Sequence, residues 1–418
     1  MKRKVWVWNH YASDTYFDKG GRHYNFVKYL KQSGYEPVVF ASNAKHGKAE
    51  TYFPDAGLWQ EHMAEEIGVP FVFVRSRTYE GNGKQRVLNM IDFYRNVKKT
   101  AREYAKQYGK PDIIYASSVH PLTLVAGIQT AKHFGVKCIC EVRDLWPESI
   151  VAYSSRFTKR HPLMRLLYRG EKWIYKKADR VIMTWPGGYD YIRDQGWEKA
   201  IPAQKVIHIS NGVDLQTVSF DADSVREELT RWPDEKKIFI YAGSVRKVNH
   251  LKLLVDAAEE LQKRGNDGAC ILIYGDGDEK EWLEREVREK QLTNIRFMGR
   301  VEKKQVPALL RQAYATILHN TSTILDRYGQ SQNKFFEYLA VERPILMTYS
   351  VGHSVIRERQ CGMEVEHQTA GDIADAMEYL CALDAKAYET FCRNSAAASQ
   401  DFDFRNLTQK LISVIEGV

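Results

Sequence analysis

The chain of 418 residues is too long for one comfortable core, so two domains are the starting expectation. Hydrophobic residues make up 44% and aromatic residues 12% of the chain, values that are typical of globular proteins and exclude extensive disorder. The formal net charge of +8 favours a polyanionic partner, which leaves nucleotide phosphate, an anionic membrane surface and nucleic acid open.

Strand-like and helix-like segments alternate from the start of the chain. Residues 5–8 predict a strand, residues 24–33 a helix and residues 37–41 a second strand. Further strands are predicted at residues 113–116 and 137–142. This alternation is typical of a parallel sheet covered by helices. The apolar run at residues 5–8 is too short for a signal peptide.

A glycine pair, Gly20 and Gly21, separates the first predicted strand from the first predicted helix. Glycine lets a ligand approach the backbone closely, and the free amides at a helix start attract phosphate. The pair is therefore a candidate phosphate-facing turn, with an ordinary structural turn as the alternative. Because the chain has no Gly-x-Gly-x-x-Gly at this point, a dinucleotide cofactor is not supported.

Two later strands of this half are each followed by polar side chains. His120 follows the strand at residues 113–116, where an imidazole could contact a sugar hydroxyl or the reacting centre. A structural histidine is the alternative. Arg143 and Asp144 follow the strand at residues 137–142, in a segment with more charge than a random turn tends to show, unless the two residues only pair with each other.

The segment of residues 156–180 carries nine Lys and Arg against two acidic residues. Apolar side chains such as Leu163, Leu166 and Trp173 are interleaved with these cations, a pattern that suits an interfacial helix on an anionic leaflet. A solvated basic face with a buried apolar side is the alternative, and no recognisable nucleic-acid motif accompanies the charge. No run approaches the roughly 20 apolar residues of a spanning helix, so membrane contact would be peripheral.

The alternation pauses in the polar residues 214–237 and restarts with a strand at residues 238–243. We place the domain boundary there, with residues 1–215 as the first domain and residues 216–399 as the second. Residues 404–416 predict an amphipathic helix, and we expect residues 400–418 to pack back on the first domain.

The second half repeats the rhythm of the first. Its later predicted strands lie at residues 270–274, 294–298, 315–318 and 344–347. The predicted fold class is therefore α/β, with two doubly wound Rossmann-like domains. Sheets of this kind bind ligands at the carboxyl ends of their strands, so we expect the two domains to face each other across a cleft.

A basic loop follows the first strand of the second domain. The amides of Gly243 and Ser244, together with Arg246 and Lys247, could neutralise a diphosphate, which is the leaving group of many transfer reactions. A solvated basic loop is the alternative.

Two further turns follow strands of this domain. Gly275-Asp276-Gly277 resembles a nucleotide-binding turn, yet such turns are usually structural. Arg300 and Val301 follow a strand that ends in glycine, where backbone groups could meet the edge of a base.

Residues 328–346 place Asn333, Lys334 and Glu337 at the start of an apolar helix. The first-turn amides of such a helix attract anions, and Lys334 adds a full positive charge. Glu337 could accept hydrogen bonds from ribose hydroxyls. The segment predicts a site for a nucleotide diphosphate, with an ordinary amphipathic helix as the alternative.

The six cysteines contain no Cys-x-x-Cys pair and have no histidine partners at zinc-finger spacing. We interpret them as reduced core thiols of a cytoplasmic protein. The cysteines therefore give no indication of a metal site.

Taken together, these segments resemble glycosyltransferase family 4, the retaining enzymes of GT-B architecture that use nucleotide-activated sugars. Strings at residues 143–149 and 333–340 are similar to those of the branch that builds bacterial surface polysaccharides. The motifs that carry the resemblance are Gly-Gly-Arg-His-Tyr at 20–24, Tyr-Glu-Gly-Asn-Gly at 79–83, Ser-Val-His-Pro at 118–121, Arg-Asp-Leu-Trp-Pro-Glu-Ser at 143–149, Asn-Gly-Val-Asp at 211–214, Gly-Asp-Gly at 275–277 and Asn-Lys-Phe-Phe-Glu-Tyr-Leu-Ala at 333–340.

The resemblance implies transfer of a hexose or N-acetylhexosamine, with retention of configuration, to a lipid-linked or polysaccharide acceptor, with neither a metal nor a cofactor in the site. The donor would be a nucleotide diphosphate sugar, expected to be a UDP-sugar, and the protein would work in the cytoplasm at the inner face of the membrane. Glu337 matches the second glutamate of the family's Glu-x7-Glu motif, which holds the ribose. His120 matches the histidine near the transferred sugar, and Gly20 with Gly21 matches the loop that faces the diphosphate.

The resulting site hypothesis has three parts. His120, Lys334 and Arg246 are the predicted catalytic residues, and Arg143 with Asp144 lies on the acceptor side. The predicted donor-binding residues are Gly20, Gly21, Ser244, Lys247, Arg300, Val301, Asn333 and Glu337.

Two departures from the family pattern accompany this hypothesis. Gly329 stands where the first glutamate of Glu-x7-Glu would fall, and Ser244 with Asn249 stands where the family's usual Arg and Lys would fall. The alternatives are a UDP-sugar epimerase of the same architecture and an inactive nucleotide-sugar-binding subunit of a glycosyltransferase complex. Nucleic-acid binding ranks last, since no reading motif accompanies the charge.

Overall fold

The computed structural model describes residues 3–54, 57–81, 83–118, 120–154, 156–218, 220 and 236–418. The chain forms two compact units, one of residues 1–211 with 404–418 and the other of residues 212–403. Asn82 and Val119, which belong to two of the quoted motifs, lie outside the described residues. Most of the polar segment in which we predicted the domain boundary also lies outside them.

The first unit is built on an eight-stranded sheet. Its strands are β1 Lys4–Asn9, β2 Glu36–Ser42, β3 Trp59–Ala64, β4 Val69–Val74, β5 Ile113–Ser117, β6 Lys137–Val142, β7 Arg180–Met183 and β8 Val206–His208. They lie in the order β3-β4-β2-β1-β5-β6-β7-β8, and only β3 runs antiparallel to its neighbour. Five of the six residues of β1 are buried, as expected for a parallel strand that is covered on both faces.

Helices cover this sheet, and one of them comes from the end of the chain. They are α1 Ser13–Phe17, α2 Arg22–Gln32, α3 Lys84–Tyr108, α4 Pro121–Phe134, α5 Glu148–Tyr153, α6 Pro162–Lys177, α7 Gly188–Asp194 and α15 Phe404–Glu416. Leu407 and Leu411 of α15 are buried in one cluster with Val27 and Leu30 of α2. The predicted return of the last helix to the first unit is therefore confirmed.

The second unit contains a six-stranded, wholly parallel sheet. Its strands are β9 Lys237–Ala242, β10 Ala269–Tyr274, β11 Ile295–Gly299, β12 Ala315–Leu318, β13 Ile345–Met347 and β14 Gly362–Glu364, in the order β11-β10-β9-β12-β13-β14. Its helices are α8 Lys252–Lys263, α9 Lys280–Glu289, α10 Val306–Arg311, α11 Asn333–Ala340, α12 Val355–Arg359, α13 Ala370–Ala382 and α14 Ala385–Asp401. The predicted class of two doubly wound Rossmann-like units is confirmed.

Each sheet has a point at which its strand order reverses. In the first unit this point lies between β1 and β5, and in the second it lies between β9 and β12. Helices leave such neighbouring strands on opposite faces, so a crevice opens beyond their carboxyl ends. The residues that directly follow these four strands are therefore the first place to look for a site.

All six cysteines are free thiols, and four of them are buried. Within the described ranges, no helix combines the length and the apolar character needed to cross a membrane. The same residues contain no group of three or more His, Cys, Asp or Glu side chains that could hold a metal ion.

Candidate functional site

Helix α11 is attached to the carboxyl end of β9. The Ala242 amide donates to the Tyr338 hydroxyl at 3.1 Å, and this hydroxyl lies 3.2 Å from the Ala242 carbonyl oxygen, to which it donates. Phe335 and Phe336 are buried on the apolar face of the helix. These contacts hold the first turn of α11 beside the loop that leaves β9.

The ammonium group of Lys334 lies beside the backbone of Gly243. Its Nζ is 3.3 Å from the Tyr241 hydroxyl and 4.6 Å from the centre of the Tyr241 ring. A Cβ atom at position 243 would overlap this Nζ, so only glycine leaves room for the ammonium. Burial lowers the pKa of Lys334 to about 8, although Glu337 opposes the shift. An anion at this point would stabilise the charged form.

Glu337 lies one turn further along α11 and is half-buried. Burial raises the pKa of its carboxyl group, while Lys303 and Lys334 act against the rise. Lys303 was not among the predicted site residues. Asn333 is the first residue of α11, and its side chain is exposed.

The loop after β9 presents two exposed cations, Arg246 and Lys247. Among the described residues, the side chain of neither cation has a hydrogen-bond or ion-pair partner. Ser244 donates from its hydroxyl to the Asn249 side-chain oxygen at 2.8 Å. Ser244 and Asn249, which stand where the resemblance would place an Arg and a Lys, therefore bind each other. The positive charge of this loop comes from Arg246 and Lys247 between them.

The Gly275-Asp276-Gly277 turn packs directly against this loop. A Cβ atom on Gly275 would overlap the Gly243 carbonyl oxygen, and one on Gly277 would overlap the carbonyl oxygen of Val245. The Val245 amide donates to the Asp276 carbonyl oxygen at 2.9 Å. The glycines thus allow two loops to pack backbone against backbone.

Gly329 precedes α11 with φ 89° and ψ −166°. This conformation is open essentially only to glycine. Any side chain would be strained at this position, so the backbone conformation itself accounts for the missing carboxylate.

Arg300 and Val301 follow β11, which lies two strands from β9. Arg300 is exposed, whereas the half-buried Val301 packs against the apolar core of the unit. The structure places both at the same sheet edge as Gly243 without making them its immediate neighbours.

The sequence analysis missed His319, which directly follows β12. Its Nε2 lies 3.1 Å from the His250 carbonyl oxygen and must donate there, because a carbonyl only accepts. Its Nδ1 lies 2.6 Å from the hydroxyl of Thr348, which is then the donor. Burial lowers the pKa of His319 to about 4, so the ring is neutral. The sequence could have indicated His319 as a candidate, because it follows a predicted strand as His120 does.

In the first unit, Glu141 near the end of β6 is the centre of a buried network. It accepts hydrogen bonds from the Arg22 guanidinium at 2.7 Å, from the Ser117 hydroxyl at 2.5 Å and from the Tyr115 hydroxyl. Burial is the largest single effect and opposes its ionisation, but Arg22 and His23 together outweigh burial and hold the pKa of Glu141 well below its usual range. The network fixes the start of α2 over the ends of β5 and β6.

Gly21 is the residue before α2, with φ 87° and ψ 174°. A side chain would be strained in this conformation, so glycine is needed for the turn itself. Gly21 is exposed and Gly20 half-buried. The predicted turn thus lies directly before Arg22, which the Glu141 network holds.

His120 follows β5 and is buried next to His10, which follows β1. The His10 Nδ1 and His120 Nε2 atoms are 2.6 Å apart. Burial lowers the pKa of His120 to about 3 and that of His10 well below its usual value. The sequence analysis missed His10, whose signal was the polar pair Asn9 and His10 directly after the first strand.

Further hydroxyl and imidazole groups lie beside this pair. The Tyr79 hydroxyl is 2.7 Å from Nδ1 of His46 and 3.3 Å from the Tyr11 hydroxyl. The rings of His46 and Tyr11 are 4.4 Å apart. These groups can both donate and accept hydrogen bonds, as recognition of sugar hydroxyls requires.

Arg143 and Asp144 follow β6, the strand next to β5, and form no ion pair with each other in the part of the chain that the structure describes. The Arg143 amide donates to the Ser118 hydroxyl at 3.2 Å. Asp144, His120 and the buried Glu171 border one small cavity of about 10 Å³. The structure therefore brings His120 and Asp144 to the wall of one cavity, beyond the ends of two neighbouring strands.

Family models match both units. The model described as Glycosyltransferase Family 4 matches residues 22–217, and the model described as Glycosyl transferases group 1 matches residues 236–382.

Two curated relatives carry glycosyltransferase names. The alpha-D-kanosaminyltransferase of Streptomyces kanamyceticus is 25% identical over 262 residues, which are 60% of this chain and 65% of the relative. The putative colanic acid biosynthesis glycosyl transferase WcaI of Escherichia coli (strain K12) is 29% identical over 118 residues, which are 27% of this chain and 28% of the relative. The matches thus span less than two thirds of each relative's length.

A solved structure supports the fold over the whole length. Alr3699/HepE of Anabaena, in complex with UDP, superposes with a TM-score of 0.65 at 14% identity and covers 100% of both chains. The matches of the two family models and the two named relatives support a glycosyltransferase of the family 4 type.

Proposed function

We propose that this protein transfers a sugar from a nucleotide diphosphate donor, a UDP-sugar, to a lipid-linked or polysaccharide acceptor. The observation that carries the proposal is the first turn of α11, where Lys334 lies against the backbone of Gly243. A cation, free helix amides and a glycine that leaves the loop backbone accessible suit a diphosphate. The complexes of HepE with UDP and with UDP-glucose support the choice of nucleotide.

In the proposed reaction, the bond between the sugar's anomeric carbon and the phosphate oxygen breaks, and its electron pair leaves with UDP. Lys334 and Arg246 stabilise the negative charge that develops on the diphosphate, so the chain itself supplies the role of a metal. The acceptor hydroxyl forms the new bond to the anomeric carbon and gives its proton to the departing phosphate oxygen.

We propose that this transfer retains the anomeric configuration. The Gly329 backbone conformation would strain any side chain, and so disfavours a carboxylate at the position that often faces the donor sugar. Attack of the acceptor on the same face that UDP leaves needs no such nucleophile. His120 is proposed to contact the transferred sugar, and Arg143 with Asp144 to contact the acceptor.

Glu337 is proposed to hold the ribose. Glu337→Ala should weaken UDP binding at least tenfold in calorimetry, because a carboxylate that accepts from ribose hydroxyls is lost. The exposed Glu366 of the same unit provides the control, since Glu366→Ala removes an equal charge without touching α11. Equal UDP affinity in the two variants would remove the ribose assignment.

A panel of nucleotide sugars, followed by UDP release with and without acceptor, tests the activity itself. Transfer to an acceptor supports the proposal. An isomeric UDP-sugar formed without acceptor would show an epimerase instead. Retained UDP binding without any turnover on the panel would show a binding subunit. The missing carboxylate at Gly329 is the observation that favours this alternative.

We also propose that α6 docks on an anionic membrane at the inner face of the cell membrane. Leu163, Leu166 and Trp173 are 47%, 63% and 39% exposed, and their spacing of three and seven residues places them on one stripe of the helix. Exposed Arg165 and Arg169 lie on the neighbouring stripe. Apolar anchors beside cations suit the interface of an anionic leaflet.

A matched pair of variants tests the docking. Arg165, Arg169, Lys172 and Lys176 are replaced by Gln in one variant, and Arg95, Lys99, Arg102 and Lys106 on α3 are replaced in the other. The second set has the same charge and the same spacing. We expect only the first variant to lose sedimentation with phosphatidylglycerol vesicles. Equal loss of sedimentation in both variants would show that the vesicles attract the overall charge of the protein. Undiminished binding of the α6 variant would show that the basic face of α6 is only solvated.

A further inference from the structure

His10 and His120 meet at the point where the strand order of the first sheet reverses. They follow β1 and β5, which are neighbours in the sheet, and are 0% and 1% exposed. The 2.6 Å between His10 Nδ1 and His120 Nε2 is a hydrogen-bond distance, so one proton lies between the two rings.

The number of protons on the pair follows from its burial. Both rings are neutral at neutral pH because burial lowers the pKa of each, and Arg86 nearby adds to the effect on both. A neutral imidazole carries one proton. If His10 Nδ1 donates, His120 must hold its own proton on Nδ1. If His120 Nε2 donates, His10 must hold its own proton on Nε2.

Each ring therefore decides the tautomer of the other. The two outer nitrogens, His10 Nε2 and His120 Nδ1, are buried and have no hydrogen-bond partner among the described residues. In either arrangement one of them is a donor and the other an acceptor. The two roles cannot be changed independently, because both depend on the shared proton.

The surroundings keep the rings in place. The His10 ring stacks on Phe93 at 4.4 Å and an interplanar angle of 4°, and on Tyr11 at 4.6 Å and 21°. His120 directly precedes Pro121, the first residue of α4. The two rings meet almost at right angles, at 85°. Neither ring can turn away without losing its packing.

We propose that His10 is a positioning residue that holds His120 in one tautomer, so that His120 offers a fixed hydrogen-bonding group to its ligand. This inference rests on the proposed function, in which that ligand is a hydroxyl of the transferred sugar. His10 itself need not touch the sugar. Its effect reaches the site through the shared proton.

Nitrogen NMR of the ¹⁵N-histidine-labelled protein tests the tautomer directly. In the native chain we expect His120 to show one protonated and one bare nitrogen. In His10→Phe, which keeps a stacking ring but removes the shared nitrogen, we expect averaged or exchanged shifts. His10→Asn places an amide near the position of Nδ1 and should restore a single tautomer. Unchanged His120 shifts in His10→Phe would overturn the proposal.

Kinetics with a matched control complete the test. His10→Phe should lower kcat/KM for transfer about tenfold, the effect of one lost hydrogen bond, while UDP affinity stays unchanged. His10→Asn should recover most of the loss. His62→Phe is the control, since His62 also stacks on an aromatic ring, Phe53, at 3.8 Å, but lies on the edge strand β3.

The failure of this inference and the failure of the proposed function give different results. If transfer proceeds and His10→Phe behaves like His62→Phe in both shifts and rates, the positioning role is wrong. If no nucleotide sugar supports transfer but the His120 shifts respond to His10→Phe and recover in His10→Asn, the coupling stands and the transferase function is wrong.

Discussion

The carboxyl edges of the two sheets have the same topology but opposite chemistry. Where the strand order of the first sheet reverses, the neutral rings of His10 and His120 are buried against each other. At the corresponding place in the second unit, the partly buried cation Lys334 lies against Gly243, and the exposed cation Arg246 follows in the same loop. Neutral donors and acceptors suit hydroxyls, whereas cations and bare backbone suit phosphate.

The two edges are also supported differently. The first depends on a buried charge network, in which Glu141 holds Arg22 at the start of α2. The second depends on backbone packing, since Gly275 and Gly277 lie directly against the loop after β9. Two units with the same fold therefore depend on different kinds of residue to keep the sheet edge in shape. The following experiments test the contrast, beginning with the largest expected effect.

Glu141→Ala should lower the free energy of unfolding by about 3–5 kcal/mol, because it leaves the buried Arg22 charge without its partner. Urea denaturation followed by tryptophan fluorescence measures this. Asp92→Ala removes the carboxylate of a surface pair with Arg77 and should cost less than about 1 kcal/mol. Similar losses in both variants would show that the Glu141 network does not support the first edge.

Lys334→Ala should lower kcat about 300-fold, with a smaller change in donor affinity, because the charge acts mainly on the departing diphosphate. Steady-state UDP release and calorimetry separate the two quantities. The exposed Lys304 of the same unit provides the control as Lys304→Ala. Normal turnover in Lys334→Ala would place stabilisation of the leaving group elsewhere.

Gly243→Ala should lower kcat about thirtyfold with little change in thermal stability, because the new methyl group displaces the flexible end of Lys334. Gly275→Ala meets a backbone carbonyl instead and should lower stability as well. Rate and melting temperature measured on both variants distinguish a displaced cation from a damaged loop. Full activity in Gly243→Ala would contradict the role of the Lys334 position.

We expect only the second edge, through Lys334, to make kcat/KM depend on pH. Lys334 has a pKa lowered to about 8, so it is charged below that pH and loses its charge above it. We expect kcat/KM to fall about tenfold per pH unit above pH 8. Lys334→Arg should remove this fall, because an arginine stays charged. His120, with its pKa of about 3, should add no step between pH 5 and 8.

Local patterns were sufficient for most of the fold. The apolar runs at residues 5–8 and 270–274 predicted β1 and β10, because a strand covered on both faces must be apolar throughout. The edge strands β3, β8 and β14 escaped prediction, whereas the edge strand β11 was predicted. β3 reads Trp-Gln-Glu-His-Met-Ala, with mostly half-buried residues, and it is a strand because it pairs with β4. β14 has only three residues.

Sequence alone could propose site residues only near the ends of elements. His120, Lys334 and Glu337 were proposed because each follows a strand or lies near the start of a helix, and such positions are visible in a local pattern. The partners that give them their properties were not found. His10 lies 110 residues before His120, and Lys334 lies 93 residues after Tyr241.

The sequence by itself determined two alternating α/β halves, the residues at their strand ends and the resemblance to family 4. These features depend on residues close together in the chain. Only the tertiary structure decided that His10 shares a proton with His120, that Glu141 neutralises Arg22 and that Gly243 makes room for Lys334. The physical reason is that burial and short-range contacts set tautomers, charges and close approach, and folding creates them between residues far apart in sequence.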